Sequence, residues 1–113
     1  MKKSIAVLVA AATLGGVSGS ASAVEIRGAA SCGEWVEEHG SIGKLTSDGV
    51  AMETWLVGFL SGVVMHSGDD ILRGADNASL FLWMTNYCKA NPLNSLGKAG
   101  GKLYLELKEM KSK

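Results

Sequence analysis

Residues 55–65 read WLVGFLSGVVM, eight large apolar side chains in eleven positions, interrupted by Gly58, Ser61 and Gly62. Met52, Leu56, Phe59 and Val63 recur at helical spacing on one face, and Trp55, Leu60 and Val64 widen the apolar arc. The spacing predicts a helix from Ser47 or Asp48 to about His66, with Asp48 near its positive end and Gly68 beyond its negative end. So wide an apolar arc makes this the central, largely buried helix. A membrane span is not expected: Glu53 precedes the stretch, His66 and Asp69 follow it, and the uninterrupted run falls short of the roughly 20 residues a bilayer requires. Thr54, Gly58 and Gly62 recur every four residues and form a small-residue groove along one side. Each internal glycine costs about 1 kcal/mol of helix propensity, so close packing should return it. The expected occupant is the fourth helix near Gly100 and Gly101, or the third, and Gly58→Leu should then destabilise strongly.

The chain opens MKKSIAVLVAAATLGGVSGSASA. Lys2 and Lys3 form a charged start, Ile5 to Leu14 an apolar stretch, and Ala21-Ser22-Ala23 a cleavage site, the three parts of a secretory signal peptide over residues 1–23. Residues 24–113 then form a single domain with one small core, exported to the periplasm. Losing Lys2 and Lys3 leaves nine basic against eleven acidic residues, a net charge of about −2. That balance excludes a nucleic-acid binder, which needs a dense basic patch. The charges are uneven: residues 24–96 hold nine carboxylates and four basic groups, whereas residues 97–113 hold five lysines against Glu106 and Glu109. Such a basic tail pairs internally or with a neighbour, or is solvated.

Two cysteines in an exported chain favour a Cys32–Cys88 disulfide. Ser31 and Glu34 make a capping box that starts a first helix ending at Gly40, and residues 40–47, GSIGKLTS, read as a linker. A third helix is predicted over about Ala78 to Ala90, with Leu80, Trp83, Met84, Tyr87 and Cys88 inward. Asn91 as cap and Pro92 as first residue should begin a fourth, whose stripe is Leu93, Leu96, Gly100, Leu103, Leu107 and Met110. No segment alternates with period two. The expected fold is all-α: a small four-helix orthogonal or bundle-like domain stapled by one disulfide.

Catalysis needs a nucleophile with a base, a metal, or paired carboxylates in a cleft. His39 and His66 both fall at helix ends, where a histidine serves as a solvated or dipole-stabilised cap. Gly58 and Gly62 do not flank Ser61 at the two-residue spacing of a nucleophile elbow. Cys32, His39, His66 and Cys88 lack paired zinc-ligand spacing, and Asp69, Asp70 and Asp76 do not match a calcium loop, so Asp76 or Asn77 is read as a helix cap. No enzyme, cofactor or metal is expected. Of three tryptophans, Trp55 and Trp83 are assigned to the core around the disulfide. Trp35, in the short first helix, is expected to stay partly exposed as a partner contact.

The leading cysteine in a short helix, the central W-L-x-G-F-L-S-G helix and the Y-C-x-x-N-P-L segment before a leucine-rich helix together resemble the HdeA/HdeB-like periplasmic proteins. The resemblance runs over residues 31–110. It implies an exported all-α domain with one disulfide, a folded monomer or homodimer that loosens in acid and exposes apolar surface to unfolding clients. Protonating eleven carboxylates and charging two histidines would take the mature chain from about −2 to about +11. The glycine-containing helix and the N-P restart also look like the Tai/Rap group of type VI secretion immunity proteins. That resemblance implies a protein partner of another kind, a periplasmic toxin to be blocked. The group carries further cysteines, including one just before the glycine-containing helix, where this chain has none.

Overall fold

In the computed structural model, which describes residues 25–40 and 45–113, every helix begins on a side-chain oxygen. The helices are α1 (Cys32–His39), α2 (Ser47–Ser67), α3 (Asn77–Ala90) and α4 (Leu96–Lys111). Ser31, Thr46, Asp76 and Ser95 cap them in turn, accepting from the backbone N–H of Glu34, Gly49, Ser79 and Lys98. These are donors that the first turn of a helix leaves without a partner. The described residues contain no strand, so the fold is all-α as expected. The signal peptide expected over residues 1–23 and residues 41–44 of the expected linker lie outside the described residues.

The capping box of α1 is complete: Glu34 N–H donates to Ser31 Oγ at 3.1 Å and Ser31 N–H to Glu34 Oε2 at 2.8 Å. The start of α4 differs from expectation. Asn91 does not begin that helix; it ends α3, its N–H donating to the carbonyls of Tyr87 and Cys88. Pro92 and Leu93 lie in a turn, and Leu93 is 97% exposed, outside the apolar stripe assigned to it. A tertiary contact explains the delay. Cys32 N–H donates to Asn94 O at 2.7 Å and Leu96 N–H to Ala30 O at 2.9 Å, so the starts of α1 and α4 pair as an isolated antiparallel bridge. The chain must stay extended through Ser95 to make those bonds, and α4 begins only after it.

Cys32 and Cys88 form the disulfide, with Cα atoms 4.7 Å apart, and fasten α1 to α3. Around it lies the core: Trp35, Leu56, Leu60, Leu80, Met84, Leu96, Ala99 and Leu103. Helix α4 reaches this core through Leu96, Gly100 and Leu103, while Met110 at the far end of its stripe is exposed. The basic tail pairs internally. Lys108 approaches Asp69 at 3.4 Å, and Lys111 donates to the Arg73 carbonyl at 2.7 Å, holding the end of α4 against the α2–α3 loop. Tyr104 and Asp69 raise Lys108 above the ordinary lysine value.

Close helix approach does occur on a glycine, but not on the pair expected. A Cβ added to Gly100 would lie 3.0 and 3.1 Å from two ring carbons of Phe59 and 3.6 Å from Leu56 Cδ1. Among the described residues, nothing lies within 4 Å of one added to Gly58 or Gly62. Neither α3 nor α4 fills the Thr54–Gly58–Gly62 groove; α4 packs on the opposite side of α2, where Leu56 and Phe59 project. The expected loss from Gly58→Leu is therefore reversed. Gly58→Ala should raise stability by about 0.5–1 kcal/mol through helix propensity, whereas Gly100→Val should lower it by about 1–3 kcal/mol through overpacking. Thermal melting of the two variants reads both signs.

The caps also differ in how they answer acid. The Ser31 backbone N–H, and then its hydroxyl, hold the Glu34 carboxyl below its ordinary value, and Ser79 does the same for Asp76, its backbone bond again the larger cause. Carboxyls lowered by folding contribute stability that is complete above the ordinary values of 4.5 and 3.8 and is lost as pH falls below them. Ser95 has no such partner, whereas the Thr46 hydroxyl donates to the Glu38 carboxylate. Amides of the first turns of α1 and α3 should therefore lose protection relative to those of α4 as pH falls below those ordinary values. Hydrogen exchange checks this, and Glu34→Gln should flatten the response of α1.

Candidate functional site

Helix α2 carries two unlike sides. Leu56 and Leu60 are fully buried, and Met52, Trp55 and Phe59 pack beside them. The other side presents Val50, Thr54, Gly58, Gly62 and Met65, all exposed, with Met65 at 86%. Only 17% of the most apolar window of α2 is buried, so the helix expected to be the buried centre is instead largely open along one flank. By length and composition alone, α2 is apolar enough to cross a membrane.

Between this flank and α3 runs a groove of about 460 Å³. Thr54 and Gly58 line it from α2 together with Val57, Phe81 lines it from α3, and Glu53 and Asn77 bring polar groups to it. Two residues of the small-residue stripe legible in the sequence, Thr54 and Gly58, thus line a groove in the structure, but an open one, and Gly62 lies outside its lining. Leu82, next to Phe81, adds an exposed apolar side chain on α3.

A chain of polar contacts links the helices around the groove. His39 Nδ1 lies 2.8 Å from the Trp35 carbonyl and Nε2 lies 3.0 Å from Glu53 Oε1. A carbonyl only accepts, so Nδ1 is the donor in that bond. The His39 ring stacks on Trp35 with centroids 4.0 Å apart. Trp35 Nε1 donates to Thr85 Oγ1 at 2.9 Å, and Thr85 donates onward to the Phe81 carbonyl at 2.9 Å. The chain runs from α3 through α1 to α2 and ties together the two helices that flank the groove.

Two sequence expectations change here. Trp35 is not a partner contact: it is 0% exposed, the largest fully buried side chain of the core. Its position three residues after Cys32 explains this, because the disulfide draws that face of α1 onto α3. His39 is not a solvated cap either; its side chain is 10% exposed and is paired with Glu53, which is 18% exposed. Sequence reading missed this pair because the partners lie 14 residues apart on different helices, and no local spacing marks such a contact. His66 is exposed, and Asp76 is the helix cap it was read to be.

Trp55 and Trp83 are partly buried against the core, as assigned. Among the described residues, no group of three or more His, Cys, Asp or Glu side chains is placed to hold a metal ion. No family model, curated protein or solved structure matches the chain.

Proposed function

We propose that this chain is a small exported protein that acts by binding another protein along the α2–α3 groove. The observation that carries the proposal is the open flank of α2, an apolar helix on which Thr54, Gly58 and Gly62 are exposed, with no other helix against Gly58 or Gly62 among the described residues. Small residues let a second helix backbone approach closely, and a groove with apolar walls is a common receptor for an amphipathic helix. A bilayer is the other environment α2 fits by length. Against insertion stand the packing of Leu56 and Leu60 in the core and the His39–Glu53 contact, which hold α2 to the body of the protein. Export rests on the leader expected over residues 1–23, and the disulfide suits an oxidising compartment such as the periplasm.

Within that role we favour an acid-stress chaperone of the HdeA/HdeB-like kind. What supports it is the layout resemblance together with the acid-sensitive caps of α1 and α3, the two helices that the disulfide keeps joined while their ends loosen. The rival, an immunity protein that occludes a periplasmic toxin, is favoured by one observation: the groove is already open in the folded chain and needs no unfolding to receive a partner. Light scattering by an aggregating client, measured at about pH 2–3 and at neutral pH, separates the two. Suppression confined to acid supports the chaperone. No suppression, with a stoichiometric complex isolated at neutral pH, supports the immunity role. Absence of both activities contradicts protein binding.

A further inference from the structure

A second concavity lies on a different face of α3, and nothing proposed above uses it. It is a cleft of about 310 Å³ between α3 and α4, at the lower end of the range typical of small-molecule pockets. Its apolar lining comes from Leu80, Trp83, Leu103 and Leu107. Leu80 and Leu103 belong to the core, and the Trp83 ring is stacked on Tyr87 with centroids 5.2 Å apart and planes 10° apart, so these walls are held in place before any ligand arrives. Among the described residues, the charged groups lining the cleft are both carboxylates, Asp76 from the start of α3 and Glu106 from α4, and no Lys, Arg or His lines it.

An apolar pocket lined by two negative charges and an aromatic ring selects for one chemistry. An apolar body gains by leaving water, an ammonium group gains from the carboxylates and from the ring face, and a carboxylate on the same body is repelled. We infer that the α3–α4 cleft is a binding site for a small hydrophobic amine, with its apolar body against Leu80, Trp83, Leu103 and Leu107 and its ammonium group between Asp76 and Glu106. The Ser79 N–H bond that caps α3 also holds the Asp76 carboxyl below its ordinary value, which favours the charged form the amine needs.

Three probes with one body and different heads test this: 4-phenylbutylamine, 4-phenylbutanol and 4-phenylbutyrate, titrated into the full chain while the Trp83 indole N–H is followed by NMR. The expected result is a saturable shift of Trp83 with the amine, weaker binding of the alcohol, and the weakest binding of the carboxylate. Asp76→Asn retains a capping side chain and Glu106→Gln lies on an exposed surface, so both variants should fold. Together they should weaken amine binding about tenfold, the equivalent of one charge-assisted hydrogen bond, and leave the alcohol unchanged. Carboxylate binding as tight as the amine, or an amine affinity unmoved by the double variant, would overturn the assignment. So would an unsaturable shift, or shifts confined to Trp55 and the α2–α3 groove.

Discussion

Trp35→Ala will lower the stability of this protein by about 3–5 kcal/mol, the cost of emptying a large aromatic site in a packed core. For a domain of this size that is a fall in melting temperature of roughly 15–30 °C. The magnitude follows from where the ring sits: 0% exposed, stacked on His39, tilted against Phe81 at 6.1 Å and bonded to Thr85. Trp35→Phe should recover most of the loss, because it keeps an aromatic body and gives up mainly the N–H bond, worth about 1 kcal/mol. A Trp35→Ala protein that melts within a degree or two of the parent would restore the reading of Trp35 as a surface contact.

Removal of the disulfide should cost about as much by another route. The bridge closes a sequence separation of 56 residues, and the chain-entropy estimate for such a loop is about 4 kcal/mol. Cys32→Ala together with Cys88→Ala is the cleaner form of the experiment, since both sulfurs are fully buried and serine would place hydroxyls in the core. The expected result is a denaturation midpoint far below that of the oxidised protein, with the remaining helices unfolding as one unit. An unchanged midpoint would show that the α1–α3 contact needs no staple. The two effects should not add. Cys32 and Trp35 lie one helical turn apart and serve the same contact, so the triple variant should lose less than the sum of its parts.

Most of the fold was legible in the sequence because its determinants are local. The Ser31–Glu34 capping box, Gly68 closing α2 at φ +76° and Asp76 starting α3 are each read from a few neighbouring residues, and the structure bears all three out. The pairing of two cysteines needs only their number and an oxidising compartment. What failed was non-local. Asn91-Pro92 has the local chemistry of a helix start, but the bonds from Cys32 to Asn94 and from Leu96 to Ala30 move that start to Ser95.

The groove shows the same division. Periodicity located Thr54, Gly58 and Gly62 on one side of α2, yet nothing in a single helix says which side faces the core. Leu56, Phe59 and Gly100 settled that, because they let α4 approach from the other side. Trp35 was misplaced for a related reason: a short helix reads as peripheral until the disulfide three residues away is given its geometry.

The open flank of α2 is the center of the functional account, and a photo-crosslinking amino acid at position 58 examines it most directly. Benzoylphenylalanine in place of Gly58 has room there, since nothing among the described residues lies within 4 Å of the added Cβ. Irradiated in the cells that make the protein, it should give crosslinks to another polypeptide, with the melting temperature of the unirradiated protein not lowered. Crosslinks to lipid alone, or none to any other polypeptide, would contradict the account.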